Sequence, residues 1–132
     1  MAKRNIKKVL VFDVETSGLL PKKTEDIPLE NLPHILQLSY IVFETNGWKV
    51  SKVGNYYVNV PQEVEISSKI TELTGITRKM CDQGKSILHV LNEFCEEYMK
   101  CDLIVAHNIY FDRNMILLEI SRNKEKLSTH YV

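Results

Sequence analysis

Apolar and polar positions follow a strand-like pattern through the first half of the chain. The run KVLVF at 8–12 is short, apolar and β-branched, and the turn-prone TSG follows it closely, which predicts a buried strand with polar residues at its C-terminal end. The segment HILQLSYIVFE at 34–44 is the best strand candidate, because it is rich in residues that strands favour. An Asn-Gly turn at 45–48 leads to a returning strand, VSKVGNYYVNV at 50–60. The pattern predicts one strand followed by an antiparallel hairpin.

Helical spacing dominates the second half. The segment SSKITELTG at 67–75 predicts a short helix that Ser67 or Ser68 caps and Gly75 ends. Apolar residues recur at helical spacing in SILHVLNEFCEEYMK at 86–100 and in FDRNMILLEISR at 111–122. Between these two helices, DLIVAH at 102–107 reads as a short parallel strand.

This order of elements indicates an α/β sheet, in which ligands gather beyond the carboxyl ends of parallel strands. The chain has 132 residues and 44% hydrophobic content, which suits one domain spanning 1–132 with a basic N-terminal tail at 1–7. The proline-rich segment 20–33 is expected to be a surface loop rather than a linker between domains.

The composition limits which binding partners and which cellular compartment the sequence fits. Seventeen basic and 17 acidic residues give no net charge, so any nucleic-acid contact must be local. Three cysteines without C-x-x-C spacing fit neither a disulfide framework nor a zinc site, which predicts a reducing intracellular compartment. The sequence shows no signal peptide and no transmembrane segment, so no membrane partner is expected. Basic residues cluster near both ends, where solvated ends are the simpler explanation.

Three acidic residues carry the candidate chemistry. Asp13 and Glu15 are one residue apart, so an extended strand places both carboxylates on one side, where they repel each other. A hard divalent ion such as magnesium would relieve that repulsion, although a solvated strand end remains an alternative. Asp112 follows the predicted strand at 102–107 and lies near the same edge of a parallel sheet. An aspartate favoured by the helix dipole is the alternative for Asp112.

The segments FDVETSGL, ISSKITELTGIT and LIVAHNIYFD together resemble the DnaQ-like 3′–5′ exonucleases of the DEDDh group, over residues from about 8 to 122. The resemblance implies an RNase H-like fold with a mixed central sheet and flanking helices. It also implies that Asp13, Glu15 and Asp112 are catalytic and bind two Mg²⁺ or Mn²⁺ ions. Thr74 stands where the family often has histidine, which affects only the expectation for local loop packing.

The resemblance further implies substrate contacts to the 3′ end of single-stranded DNA or RNA. Thr16 would meet the terminal sugar hydroxyl and Leu19 would pack against the last base, whereas a turn former and a core leucine are the structural alternatives. His107 and Asn108 would shape the loop and reach the substrate strand, and a structural role is the alternative for His107. A polymerase or another protein is a further candidate partner.

The chain lacks the family's third motif, H-x-x-x-x-D. Only His107 has an aspartate at that spacing, and that aspartate, Asp112, already belongs to the second motif; His130 is two residues from the end. The missing histidine is the family's general base, whose removal typically costs about 10²–10⁴ in rate, and the missing aspartate is its fourth metal-binding carboxylate. The fold is therefore expected to be truncated at its C-terminal end, with an exposed strand edge or apolar patch.

Two functions follow. The first is a metal-dependent 3′–5′ exonuclease that releases nucleoside monophosphates, with activity lowered by loss of the third motif. The alternative is a non-catalytic remnant of the exonuclease fold that binds nucleic acid or protein. A fragment that folds poorly is a third possibility.

Overall fold

The computed structural model describes residues 5–22 and 27–127, so His130 and the first four residues of the basic tail lie outside the described part. The elements in chain order are β1 (Lys8–Thr16), a 3₁₀ turn (Leu29–Asn31), β2 (Ile35–Glu44), β3 (Lys49–Tyr57), α1 (Ser68–Thr74), α2 (Arg78–Asp82), α3 (Ile87–Lys100), β4 (Leu103–Val105) and α4 (Ile109–Arg122). Within the described ranges, no helix is long and apolar enough to cross a bilayer.

The strands form one mixed sheet, as the sequence predicted, and their order in the sheet is β3-β2-β1-β4. β1 and β2 are antiparallel, with Cα partners that run from Lys8↔Glu44 to Thr16↔Ile35. β1 and β4 are parallel and pair only from Val9↔Leu103 to Val11↔Val105. The β2–β3 hairpin turns through four residues, 45–48, of which Gly47 has a left-handed φ of 83°. β1 is therefore paired with β2 along its whole length and with β4 over only three residues.

Two predicted strand ends need correction. The first strand was expected to stop at Phe12, but β1 continues to Thr16, because its pairing with β2 persists to that point. Asp13 and Glu15 therefore lie within the strand, at its C-terminal end as expected. The parallel strand was expected over 102–107, whereas β4 covers only Leu103–Val105.

The first helix, α1, follows the predicted capping pattern. Ser67 caps α1 by accepting a hydrogen bond from the Ile70 N–H, and Gly75 ends the helix in the left-handed region. α2 was not predicted from the sequence; it is a five-residue helix that the Thr77 side chain caps. α3 packs its buried face against the sheet, where the Phe94 ring lies 5.1 Å from that of Phe12.

The other face of the sheet carries an exposed apolar row. Cα pairing aligns Val53, Ile41, Val11 and Val105 across all four strands, so their side chains share one face. Their exposed fractions are 60%, 43%, 38% and 40% respectively. β4 is also an edge strand among the described residues. The expected strand edge and apolar patch are thus both found in the part of the chain that the structure describes.

Candidate metal and nucleotide site

Two of the three acidic residues lie on β1 and share a face of the sheet. Strand alternation turns Phe12 and Val14 into the core and Asp13 and Glu15 toward the opposite face. Asp13 is exposed and Glu15 is half-buried. The same face that carries the apolar row therefore becomes acidic toward the carboxyl end of β1.

Asp112 is held against β1 by a hydrogen bond. It lies in the first turn of α4, where it is only 3% exposed, and its Oδ1 accepts a hydrogen bond from the Val14 N–H at 3.0 Å. The pairing of β1 with β4 ends at Val11, so this N–H lies beyond the ladder and the carboxylate satisfies it. Asp112 is thereby hydrogen-bonded to the residue between Asp13 and Glu15.

The three carboxylates influence one another electrostatically. Burial raises the pKa of Glu15, and the negative charges of Asp13 and Asp112 raise it further. Burial also raises the pKa of Asp112, the Val14 N–H opposes that increase, and the charge of Asp13 adds to it. The site thus accumulates negative charge in a partly buried place, which an added cation would relieve.

The donor chemistry fits a hard divalent ion, but the side chains do not form a closed cage. In residues 5–22 and 27–127, no three acidic, histidine or cysteine side chains meet at the spacing that one ion requires. The charge of Asp13 is nevertheless close enough to raise the pKa of Glu15 and of Asp112, and the exposed Asp13 side chain can rotate without a change of backbone. Carboxylate oxygens are the ligands that magnesium prefers, and an oxygen that accepts one N–H retains a second lone pair.

A cleft opens beside the carboxyl end of β1. It has a volume of about 670 Å³ and is lined by Ser17, Gly18, Leu19, Glu30, Asn31, Leu32, Pro33, His34, Pro61, Glu63, Val64 and Glu65. Its two sides are joined by a reciprocal pair of hydrogen bonds: the Ser17 N–H donates to the His34 carbonyl, and the His34 N–H donates to Ser17 Oγ, both at 2.9 Å. The turn after the first motif therefore has a groove of nucleotide size next to it.

Leu19 and Thr16 differ in how their surroundings compare with the roles predicted for them. Leu19 is 85% exposed and lines the cleft, so the core alternative for this residue is wrong. Thr16 is buried, and its hydroxyl donates to the Gly18 carbonyl at 2.6 Å, which is the turn-forming arrangement. The predicted contacts of Leu19 with a base and of Thr16 with a sugar stay predictions.

His107 and Asn108 lie where β4 leads into α4. Asn108 is the N-cap of α4, where its Oδ1 accepts from the Phe111 N–H at 3.5 Å, so it shapes the loop as expected. His107 is exposed, which does not fit a histidine satisfied within the core. Next to them, Tyr110 is 80% exposed and lines a second cleft of about 770 Å³ with Leu20. The sequence interpretation had assigned no role to Tyr110.

His34 is another residue that the sequence interpretation missed. Its imidazole is partly buried, and burial followed by the nearby Arg122 charge lowers its pKa to about 4. It is therefore neutral at pH 7. Its position just before a strand of the predicted sheet was the only signal in the sequence.

Comparison with known proteins gives a consistent result. The sequence profile of the RNase_T family, described as exonuclease, matches residues 10–132. The chain is 33% identical over 113 residues to a PolC-type DNA polymerase III of Thermotoga maritima, covering 86% of this chain and 7% of that protein. It is 30% identical over 118 residues to the 3′-5′ exonuclease DinG of Bacillus subtilis, covering 89% of this chain and 11% of that protein. The chain thus spans a small fraction of the length of these relatives.

Solved structures show the same fold. The nuclease domain of 3′hExo, a DEDDh family member bound to rAMP, superposes with a TM-score of 0.70 at 16% identity, covering 99% of this chain and 64% of that one. Exonuclease I superposes with a TM-score of 0.73 at 17% identity, covering 89% and 24%. The predicted RNase H-like fold is confirmed, and this chain belongs to the RNase_T exonuclease family with a DnaQ-like exonuclease domain.

Proposed function

We propose that the domain is a metal-dependent 3′–5′ exonuclease that hydrolyses the terminal phosphodiester bond of a single-stranded 3′ end and releases nucleoside monophosphates. The observation that carries the proposal is the Val14 to Asp112 hydrogen bond at 3.0 Å, because it ties the second motif's aspartate to the strand that bears Asp13 and Glu15. The names of the PolC-type relatives favour a DNA end and a polymerase partner. Three free cysteines are compatible with the expected reducing intracellular compartment.

The acidic residues of the site would hold the metal. Asp13, Glu15 and Asp112 would bind two Mg²⁺ or Mn²⁺ ions, which when bound activate a water and stabilise the leaving oxygen. Asp112 is fixed by the Val14 N–H, whereas Asp13 is exposed and free to turn toward an incoming ion. The metal-binding centre is therefore rigid on the helix side and adjustable on the strand side.

The cleft would hold the terminal nucleotide. Leu19 presents an exposed apolar side chain on which a base can pack, and the Thr16 hydroxyl fixes the turn that positions Leu19. His107 and Asn108, at the start of α4, would approach the preceding strand of the substrate. His34 lies in the wall of the cleft as a neutral group at pH 7, so it offers hydrogen bonding without positive charge.

A positioned general base would add to the rate that the three acids support. The sequence has no H-x-x-x-x-D apart from the pair formed by His107 and the second-motif aspartate. Proton abstraction from the attacking water by a positioned side chain is worth about 10²–10⁴ in rate. The residues of the given sequence are therefore expected to support slow hydrolysis that depends on metal.

The test is cleavage of a 5′-labelled oligonucleotide in Mn²⁺, followed as a ladder that shortens from the 3′ end. Asp13→Ala should abolish shortening without unfolding the protein, because Asp13 is exposed. Glu96→Ala removes an exposed carboxylate from α3 and should leave the rate unchanged. Cleavage that continues at the same rate in Asp13→Ala, or in excess EDTA, would refute the assignment.

The lack of a closed three-ligand group among residues 5–22 and 27–127 also favours a second candidate, a non-catalytic domain that binds nucleic acid or protein. This candidate predicts no shortening of the oligonucleotide, together with binding that needs no divalent ion and survives Asp13→Ala. A titration by fluorescence anisotropy with and without Mn²⁺ separates it from the first.

A further inference from the structure

A buried ion pair lies on α4, away from the three acidic residues of the site. Glu119 and Arg122 are three residues apart, and Arg122 Nη1 lies 3.1 Å from Glu119 Oε1. The side chains are only 2% and 10% exposed, respectively. A charged pair taken so far out of water needs further hydrogen bonds to offset the loss of hydration.

The further hydrogen bonds of Arg122 all reach one loop. Its Nε and Nη2 donate to the Leu29 carbonyl at 3.0 and 2.6 Å, Nη2 donates to the Leu32 carbonyl at 2.5 Å, and Nη1 donates to the Pro33 carbonyl at 2.7 Å. With the bond to Glu119, these use all five N–H donors of a guanidinium. The loop that precedes β2 is therefore bound through three of its carbonyls.

Glu119 binds the end of the same segment. Its Oε2 accepts a hydrogen bond from the Ile35 N–H at 2.9 Å, which is where β2 begins. Burial raises the pKa of Glu119, while the Ile35 N–H and Arg122 oppose that increase. The two side chains thus act as a clamp, defined here as Glu119 and Arg122, that grips residues 29–35 at both ends.

The clamped segment forms one wall of the cleft. Residues 30–34 line it on one side, and residues 17–19 of the turn after β1 line it on the other. The clamp also lies on α4, the helix that carries Asp112. Glu119 follows Asp112 by seven residues, which corresponds to about 10 Å along the helix axis. One helix therefore carries both a metal-binding candidate and the support of the cleft wall.

Stability alone does not explain such a pair. Replacing a buried ion pair by apolar side chains of similar volume is often neutral or stabilising, so the pair is weak support for the fold. It does fix a geometry, because the planar guanidinium imposes directions on the carbonyls it binds. Hydrogen bonds in these fixed directions hold a loop at a set distance from the helix that carries the arginine.

We propose that Glu119 and Arg122 are positioning residues that set the distance between the cleft wall at 30–34 and the acidic residues of the site, so that a terminal nucleotide seated in the cleft has its scissile phosphate at those acids. This inference rests on the proposed function. It assigns the two residues to substrate placement and not to metal binding or proton transfer.

The test uses Arg122→Lys and Glu119→Gln. A lysine keeps the charge but has three donors without the planar fork, and a glutamine keeps the shape without the charge. Val42→Ala is the control, because it opens a cavity at a buried β2 position near the opposite end of that strand. Three quantities are measured for each protein: deuterium exchange of peptides covering 29–35, the Kd of a 5′-fluorescein-labelled oligothymidylate in Mg²⁺, and the rise in melting temperature on adding Mn²⁺.

In Arg122→Lys, we expect faster exchange at 29–35, because lysine lacks the planar fork that binds three carbonyls of this loop. Oligonucleotide binding should weaken about tenfold, which is the size of effect expected from one lost hydrogen bond. The thermal response to Mn²⁺ should stay as in the unsubstituted chain, because the three acids are untouched. Glu119→Gln should show the same pattern, so the inference does not depend on one variant folding. Val42→Ala should lower the melting temperature without changing the Kd.

Two results separate failure of this inference from failure of the proposed function. Unchanged oligonucleotide affinity in a folded Arg122→Lys or Glu119→Gln protein overturns the positioning role, as does an equal loss of affinity in Val42→Ala. If the unsubstituted chain neither binds nor shortens the oligonucleotide, the proposed function itself is wrong and the positioning role falls with it.

Discussion

Divalent metal should stabilise the folded domain, since the three acids of the site repel one another without it. The effect follows from linkage: a ligand that binds only the native state at 100 times its Kd adds about 2.7 kcal/mol to the free energy of unfolding. For the 132 residues of the chain, an unfolding entropy of about 2.1 cal/mol/K per residue gives about 0.28 kcal/mol/K in total. Saturating Mn²⁺ should therefore raise the melting temperature by about 10 °C.

Asp13→Asn tests whether the stability gained with Mn²⁺ comes from metal binding at the three acids. Loss of the Asp13 charge removes one cause of the raised pKa of Glu15, so the metal-free protein should become slightly more stable. The same substitution removes a metal-binding oxygen, so the gain with Mn²⁺ should largely disappear. Glu96→Gln, an exposed change on α3, should keep the full gain.

The gain should also depend on pH. The native pKa values of Glu15 and Asp112 are raised above 4.5 and 3.8, so the native state binds more protons than the unfolded state over the range just above those values. Metal-free stability from these groups is therefore present at low pH and lost as pH rises through the raised pKa values. Protons compete with metal for the same oxygens, so the gain should be small at pH 5 and larger at pH 7.

Differential scanning fluorimetry at both pH values measures these effects, with Ca²⁺-free buffers and EDTA as the baseline. A rise in melting temperature that is equal in Asp13→Asn and in the unsubstituted chain would refute the reasoning, because the ion would then bind elsewhere. A rise that is larger at pH 5 than at pH 7 would contradict the sign of the proton linkage.

Two further predictions concern the cleft wall and the core. The His34 imidazole should titrate at about pH 4 by NMR, so its contribution to stability is present above pH 6.5 and lost as pH falls toward 4. His34→Asn should flatten this dependence of stability on pH. A His34 titration near pH 6.5 would contradict the prediction. Gly54→Ala should destabilise the fold by about 1–3 kcal/mol in urea unfolding, because the new Cβ would lie 2.1 Å from a ring carbon of Tyr40; Gly18→Ala, with nothing within 4 Å, is the control, and equal effects would argue against the packing.

Local signals in the sequence predicted most of the elements. Alternation and helical spacing gave the strands and the two long helices, and the serine and glycine caps gave the bounds of α1 closely. The end of β1 was misplaced, because the strand continues through Asp13 and Glu15 by pairing with β2, which no single segment reveals. The α2 helix was missed because it has only five residues and follows a glycine-containing turn.

The candidate site also contains residues that the sequence predicts and residues that it does not. Asp13, Glu15 and Asp112 could be selected from motifs, since their spacing is local to each segment. The clamp could not be predicted, because Arg122 binds carbonyls about 90 residues away along the chain. Every residue has a backbone carbonyl, so the sequence does not show which carbonyls an arginine will bind. An acid and an arginine three residues apart on a helix usually indicate a solvated surface pair.

The Val14 N–H gives the domain a built-in spectroscopic probe. It bonds to the Asp112 carboxylate and not to a neighbouring strand, so its chemical shift should respond directly to protonation or metal binding at Asp112. Under the proposed function, the fold and the metal site share this one hydrogen bond. Substituting Asp112 by alanine would leave a buried donor unsatisfied, at a cost of about 1–3 kcal/mol. An inactive Asp112 variant would therefore be ambiguous on its own, whereas the amide signal of an intact chain reports on the site without requiring turnover.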